Sequence, residues 1–147
     1  MRKKFTVFFV FLLMPLFIMA QQAHEICGYW RTLKGNAQIE IFRGKDGKYA
    51  GKVVWLKIEK DRPDINNENE SLRKRKILGL HILNNLTFDS KQKRWGKGKI
   101  YDPETGKIYN CNVKLEYAKE ILAIKGFIPG LKILSRETHW VRENKLR

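Results

Sequence analysis

KIYNCNVKLEY, residues 107–117, alternates between two kinds of side chain along its whole length. One face carries the apolar series Tyr109, Cys111, Val113, Leu115 and Tyr117. The other face carries the mostly polar series Ile108, Asn110, Asn112, Lys114 and Glu116. A period of two residues is typical of a β-strand that buries one face and exposes the other. The segment therefore predicts a half-buried sheet.

Seven more segments between residues 21 and 147 have the length and composition of strands, and no long stretch of helical periodicity separates them. They are Ile26–Thr32, Ala37–Arg43, Tyr49–Lys57, Ile77–Leu83, Arg94–Tyr101, Ile121–Gly126 and Ile133–Arg142. The connections Lys34-Gly35-Asn36, Asp46-Gly47 and Asp102–Gly106 contain residues that tolerate tight or left-handed backbone. We therefore expect successive strands to be antiparallel neighbours in an all-β protein.

Eight strands with one apolar face each can bury those faces by closing into an antiparallel up-and-down barrel, which also removes the sheet edges. A sandwich of two sheets is the alternative. The segment Ile58–Lys76 is too long and polar for a hairpin connection. It is expected to form a lid or elaborated loop, with a helical turn around Glu70–Lys74.

The N-terminus has the pattern of a secretory signal peptide. Arg2, Lys3 and Lys4 precede an apolar run of sixteen residues that ends at Ala20. That run is shorter than the roughly 20 residues that a membrane-spanning helix needs. We expect residues 1–20 to be removed, which leaves one β-barrel domain, residues 21–147, in the periplasm or outside the cell, without a transmembrane segment.

The chain carries a formal charge of +15, of which the predicted signal peptide contributes three units. A basic protein in the cytosol would suggest nucleic acid as a partner, but export excludes it. A soluble basic surface is the simplest interpretation. An anionic envelope component or an acidic ligand is the alternative.

Two short motifs carry a resemblance to lipocalins and related calycin barrels. Gly28-Tyr29-Trp30 resembles the Gly-x-Trp opening of these proteins, and Trp140-Val141-Arg142 resembles the end of their last strand. The resemblance implies that Arg142 packs over Trp30 and closes one end of the barrel. A guanidinium can stack on an indole while its donors bind backbone carbonyls.

Longer blocks resemble the bacterial exported family known as domain of unknown function 2147, whose members look lipocalin-like. The blocks are Gly98–Cys111, Gly51–Leu56, Leu78–Leu80 with Ile82-Leu83, and Arg136 with Trp140 and Arg142. The resemblance implies a fold and a compartment, but no settled activity. Family members usually carry prolines in the segment aligned with Asn67–Lys76 and a glycine where this chain has Lys74, although Arg73 and Arg75 are retained.

Residues for catalysis or metal binding do not form a recognisable motif. His24, His81 and His139 are scattered, so we expect no metal site and no cofactor. Cys111 lies on the apolar face of its strand, where cysteine is usually inert, and sequence spacing leaves open whether it bonds to Cys27. Asp102-Pro103-Glu104 is better explained by a turn than by acid–base catalysis. An enzyme is therefore not predicted.

Aromatic and basic residues favour ligand binding. The candidates are Arg136, Trp55, Tyr101, Tyr109, Arg73, Arg75 and Trp140. Arg136 is the strongest, because strand parity places it on the face of Leu134, Thr138 and Trp140. An arginine that faces the interior would need an anionic partner.

Two functional hypotheses follow. The first is an exported lipocalin-like binding protein for a small hydrophobic or amphipathic molecule, including an anionic one whose head group an arginine binds. The second is a non-catalytic interaction module, in which the basic segments Ile58–Lys76 and Lys91–Lys99 bind an anionic envelope component or a protein partner.

Overall fold

The computed structural model describes residues 22–147 apart from 61, 117 and 129, and gives only the backbone of residues 132–134. The predicted signal peptide, residues 1–20, lies outside the described residues, as does Tyr117. The strands are β1 Gly28–Arg31, β2 Ala37–Arg43, β3 Tyr49–Leu56, β4 His81–Asp89, β5 Arg94–Asp102, β6 Lys107–Glu116, β7 Ile121–Ile128 and β8 Leu131–Glu143.

Each strand pairs with the next one along the chain, and β8 pairs with β1. All of these pairings are antiparallel. The prediction of a closed eight-stranded up-and-down barrel is therefore confirmed, and the sandwich alternative is wrong. On β6 the burial follows the predicted alternation, since Cys111 and Val113 are buried in the barrel interior whereas Ile108 and Lys114 on the other face are exposed.

The prediction for the fourth strand was wrong in its position along the chain. The segment Ile77–Leu83 was expected, but β4 begins at His81 and ends at Asp89. Gly79 adopts a φ of +87°, and the Leu80 amide donates to the Ile77 carbonyl, so these residues form a turn. Asparagine is common in turns, but Asn85 lies within β4, where it has a φ of +60°.

One end of the barrel is filled by side chains. Trp30 and Trp95 are almost fully buried there, and their indole N–H groups donate to the carbonyls of Ile26 (2.8 Å) and Ala23 (3.1 Å). Ala23 belongs to a helical turn at residues 22–24 that lies across this end. These bonds satisfy the only polar atom of each indole inside an apolar core.

Arg142 lies against the same filled end. Its guanidinium carbon is 4.2 Å from the centre of the Trp30 ring. The guanidinium donates to the backbone carbonyls of Glu25 (2.7 Å), Lys119 (2.8 Å) and Cys27 (3.3 Å). Burial lowers the pKa of Arg142, while the nearby carboxylates of Glu120 and Glu25 act in the opposite direction.

The opposite end carries the connections β1–β2, β3–β4, β5–β6 and β7–β8. The longest is the segment 57–80, which contains a short 3-10 helix, Glu70–Leu72, within the predicted helical turn. This long loop is fixed to the β5–β6 turn, because the Asn66 side-chain amide donates to the carbonyls of Pro103 (3.1 Å) and Glu104 (3.0 Å). The long loop is therefore part of the rim of the barrel.

Candidate ligand-binding cavity

A cavity of about 540 Å³ enters the barrel from the end that carries the long loop. The buried part of its wall is aliphatic and aromatic: Ile39, Val53, Ile77, Ile82, Ile124 and Trp140. Cavities of this size are typical of sites for small organic molecules. Because its inner wall is apolar, the cavity can accept a hydrophobic group.

Charged side chains line the outer part of the cavity. Lys34 forms an ion pair with Glu104 across the mouth. The Asp102 carboxylate accepts hydrogen bonds from the Glu104 amide (2.9 Å) and the Thr105 hydroxyl (3.0 Å). Within the described part of the chain, neither Arg62 nor Arg136 is paired with a carboxylate. The mouth therefore offers two guanidinium groups to an incoming anion.

Arg136 lines the cavity, on the face that strand parity indicated. It pairs with Gly126, and the inward residues Thr138 and Trp140 follow on the same strand. Its side chain is nevertheless exposed, because it lies near the mouth rather than in the interior. The inference that Arg136 must have an anionic partner to compensate for burial is therefore corrected, since water already solvates its charge. The Leu134 side chain is outside the described part.

Tyr101, Tyr109 and Trp140 also line the cavity. Trp55 does not, because a β-bulge shifts the register between Gln38 and Ile39. Val53 pairs with the inward residue Ile39, whereas Trp55 pairs with Gln38 on the outer face. An extra residue in one strand reverses the faces beyond it. The Trp55 ring instead lies 5.3 Å from the guanidinium carbon of Arg147.

Arg73 and Arg75 do not line the cavity either. Arg73 donates to the Asn67 carbonyl (2.9 Å) and pairs with Glu70. Arg75 donates through Nε to Asp64 Oδ2 (2.9 Å), and its guanidinium carbon lies 5.3 Å from the centre of the Tyr101 ring. Both side chains therefore hold the long loop together. The basic segment Lys91–Lys99 begins at the β4–β5 turn, at the end of the barrel opposite this loop.

Asp64, Asn67 and Tyr101 form a buried polar network beneath the long loop. The Tyr101 hydroxyl donates to Asp64 Oδ1 (2.6 Å), and the Asn67 amide donates to Asp64 Oδ2 and to the Tyr101 oxygen (both 2.9 Å). Burial, followed by the hydrogen bond to Asp64, raises the pKa of Tyr101. Sequence reasoning missed Asp64, Asn67 and Arg62, because polar residues in a long loop carry no signal that separates buried from solvated ones.

Other types of site have less support in the described residues. The described residues contain no group of three His, Cys, Asp or Glu side chains placed to hold a metal ion. Nor does any helix in the described ranges have the length and apolar composition to cross a membrane. Cys27 and Cys111 are present as free thiols. The cavity is therefore the candidate functional site.

Comparison with known proteins gives a family and a fold. A family model described as "Uncharacterized protein conserved in bacteria (DUF2147)" matches residues 28–142. A solved structure described as "Protein HP1028 from the human pathogen Helicobacter pylori belongs to the lipocalin family" aligns with a TM-score of 0.69 and 22% identity. The alignment covers 82% of this chain and 84% of that chain. No curated protein matches. The resemblance seen in the sequence blocks is confirmed.

Proposed function

Since this chain belongs to the bacterial family DUF2147 and folds as a lipocalin-like barrel, we propose that it is an exported ligand-binding protein. Its ligand would be a small amphipathic molecule, with the apolar part inside the barrel and an acidic head group at the mouth. The observation that carries the proposal is the cavity of about 540 Å³, which combines an apolar inner wall with two arginines at its opening.

The inner wall supports an apolar ligand on energetic grounds. Burial of apolar surface contributes about 25 cal/mol for each Å² removed from water. Ile39, Val53 and Ile124 present only hydrocarbon to the cavity. A ligand with an alkyl or ring system of matching size would gain this energy without leaving polar atoms of the wall unpaired.

The mouth supports an acidic head group. A guanidinium can donate two parallel hydrogen bonds to a carboxylate or phosphate. Arg62 and Arg136 both line the cavity, and Lys34 and Glu104 already neutralise each other. An amphiphile bound with its apolar part inward would bring its anionic end to these arginines.

The pattern at residues 1–20 supports export, and removal of this segment can be measured. The mature protein should begin near Gln21 when the full chain is expressed in a Gram-negative host. Mass spectrometry of the periplasmic fraction would find that product. A full-length chain confined to the cytoplasm would contradict export.

Filling the cavity tests the binding site directly. Gly126 lines the cavity, and a Cβ built there would meet no atom closer than 3.7 Å, so Gly126→Phe places a ring in the space without a clash at its base. We expect titration with long-chain fatty acids, followed by tryptophan fluorescence, to show at least about tenfold weaker binding to this variant, or a loss of about 1.4 kcal/mol.

Lys125→Phe is the matched control, because it adds the same ring to the exposed outer face of the same strand. It should bind as the wild type does. Native mass spectrometry of protein purified without detergent would show whether a ligand is carried along. No quenching and no bound mass across a panel of acids, alcohols and amines would overturn the proposal.

The head-group assignment has its own test. Arg136→Gln should weaken binding of a fatty acid about fivefold while leaving the matching alcohol unchanged, because an exposed charge–charge contact contributes on the order of 1 kcal/mol. Equal loss for the acid and the alcohol would show that Arg136 acts by packing rather than by charge.

A further inference from the structure

Exposed aliphatic side chains are concentrated at the open end of the barrel. Among the described residues, six large hydrophobic side chains are at least half exposed. Five of them belong to the open end: Leu33 (66%), Ile58 (74%), Ile65 (60%), Ile108 (65%) and Leu131 (51%). The sixth, Leu146, lies in the C-terminal tail, where its neighbours Lys145 and Arg147 contact Gln38 on the outer wall of the barrel. Such an asymmetric distribution indicates an interaction surface rather than scattered surface residues.

Cations accompany these aliphatic residues. Lys34 follows Leu33, Lys57 precedes Ile58, and Lys107 precedes Ile108. Over the described residues of segments 32–36, 57–80, 102–108 and 128–136, exposed Lys and Arg outnumber exposed Asp and Glu by eight to four. A lysine beside an inserted aliphatic residue can keep its ammonium among head groups while its methylene groups lie deeper.

The arrangement favours a fluid anionic surface as the partner. The aliphatic residues lie on separate connections around the cavity opening, with cations between them. A lipid bilayer can receive each protruding side chain independently, and its anionic head groups match the excess of cations. A rigid protein partner would need a shaped recess for each connection.

We propose that the open end of the barrel docks on the surface of an anionic lipid bilayer, with Leu33, Ile58 and Ile65 entering the head-group layer. This inference goes beyond ligand binding and does not depend on it. Docking would bring the cavity opening against the bilayer, so that an amphiphile could move between lipid and barrel without crossing water.

Vesicle sedimentation tests the docking. Delipidated protein should sediment with mixed phosphatidylcholine–phosphatidylglycerol vesicles and much less with phosphatidylcholine alone. Ile58→Ser and Ile65→Ser should each weaken binding to the mixed vesicles about fivefold, as expected when one partly inserted aliphatic side chain is lost. Leu146→Ser is the matched control, because it removes an exposed aliphatic side chain from the tail on the outer wall of the barrel, and it should have no effect.

A second pair of variants separates docking from general attraction by charge. One double variant replaces Lys57 and Lys60 with Gln, and the other replaces Lys45 and Lys91 with Gln. The two variants have the same net charge, but Lys45 and Lys91 lie in turns at the filled end. The first pair should weaken vesicle binding at least about tenfold, because a cation near an anionic surface contributes on the order of fivefold. The second pair should change it by less than about twofold, because the attraction to an anionic surface falls off within a Debye length of that surface.

Several outcomes would overturn the inference. Equal loss in both lysine pairs would show non-specific attraction, and no sedimentation of the wild type would exclude bilayer docking. Self-association that Ile58→Ser abolishes, without vesicle binding, would assign the surface to a second copy instead. Gly126→Phe should still sediment, so failure of ligand binding and failure of docking are distinguishable. Circular dichroism would confirm that each variant is folded.

Discussion

Arg142 connects the first strand, the turn before it and the β6–β7 connection through one side chain. Its guanidinium stacks on Trp30 and donates to three backbone carbonyls, those of Glu25, Cys27 and Lys119. Arg142→Ala should lower the free energy of unfolding by about 2–3 kcal/mol, because partly buried carbonyls lose their donors and the indole loses its cover. Urea denaturation followed by tryptophan fluorescence would measure the change.

Arg136→Ala is the control for that experiment, since it removes the same type of side chain from the same strand at the open end. Arg136 is exposed, so its loss should change the free energy of unfolding by no more than about 0.5 kcal/mol. Equal effects of the two substitutions would mean that the contacts of Arg142 add nothing to stability.

Cys111 makes the stability of the protein depend on pH in the alkaline range. Burial raises the pKa of its thiol from 9.0 to about 12. Between these values the unfolded chain releases a proton that the folded protein keeps, so this contribution to stability is complete below pH 9 and is lost as the pH rises towards 12. Cys111→Ala removes the linkage, with a cost of about 1–2 kcal/mol at neutral pH from the lost packing.

The expected result is a difference in unfolding free energy between wild type and Cys111→Ala that shrinks above pH 9. Urea titrations between pH 7 and pH 10.5 would measure this difference. Above pH 9 the difference should fall with a slope that approaches about 1.4 kcal/mol per pH unit. Parallel profiles for the two proteins would contradict the prediction. Thiol titration offers a check, since half-buried Cys27 should react before Cys111 in the folded protein.

At the level of elements, the long loop depends on one glycine in the neighbouring β5–β6 turn. A Cβ at Gly106 would lie 1.7 Å from the Asn66 carbonyl oxygen, and the residue has a φ of +73°. Gly106→Ala should therefore displace the long loop and lower the free energy of unfolding by about 3 kcal/mol or more. Limited proteolysis should cut the loop 57–80 faster, and urea denaturation would give the energy.

Gly130→Ala is the matched control in the β7–β8 turn. Gly130 has a similar φ of +81°, but a Cβ there would meet no atom within 4 Å. Its substitution should cost only the backbone strain, about 1–2 kcal/mol, without faster cleavage of the long loop. If both variants behaved alike, the close approach of Asn66 to Gly106 would not matter.

The sequence predicted elements well where the pattern is local and poorly where it is not. The alternation in residues 107–117 predicted β6 close to its observed bounds. The glycine-containing turns predicted the positions of the hairpins. β4 was misplaced because asparagines such as Asn84 and Asn85 are common in turns, whereas pairing of Asn84 with Lys99 on β5 keeps this segment within a strand. The bulge that turns Trp55 outward likewise depends on the partner strand.

At the scale of the whole molecule, the seam between β1 and β8 is a short part of the closed sheet. Among the described residues three pairs join these strands, as many as join β3 and β4, compared with seven between β6 and β7. We expect amide hydrogens of Tyr29 and Trp30 to exchange faster than those of Cys111 and Val113, because fewer neighbouring hydrogen bonds must open. Hydrogen exchange with mass spectrometry would measure this, and uniform protection would indicate that the barrel opens only by global unfolding.

The architecture of the barrel was predictable, but the composition of the cavity was only partly so. Strand parity placed Tyr109, Arg136 and Trp140 on the inner face. It could not give the distance of Arg136 from the mouth, which decides whether water solvates its charge. The contact between Asp64 and Tyr101 joins residues that are 37 positions apart, and no local pattern encodes it.

The filled end of the barrel restricts how a molecule can enter and leave the cavity. In the part of the chain that the structure describes, Trp30, Trp95 and Arg142 block the route at that end. An occupant of the cavity must then leave by the end at which it entered. If the occupant is the amphiphile proposed above, its head group leaves first, and an acceptor would contact the polar end before the apolar one. A barrel closed in this way would carry such a ligand as a shuttle rather than conduct it between two compartments.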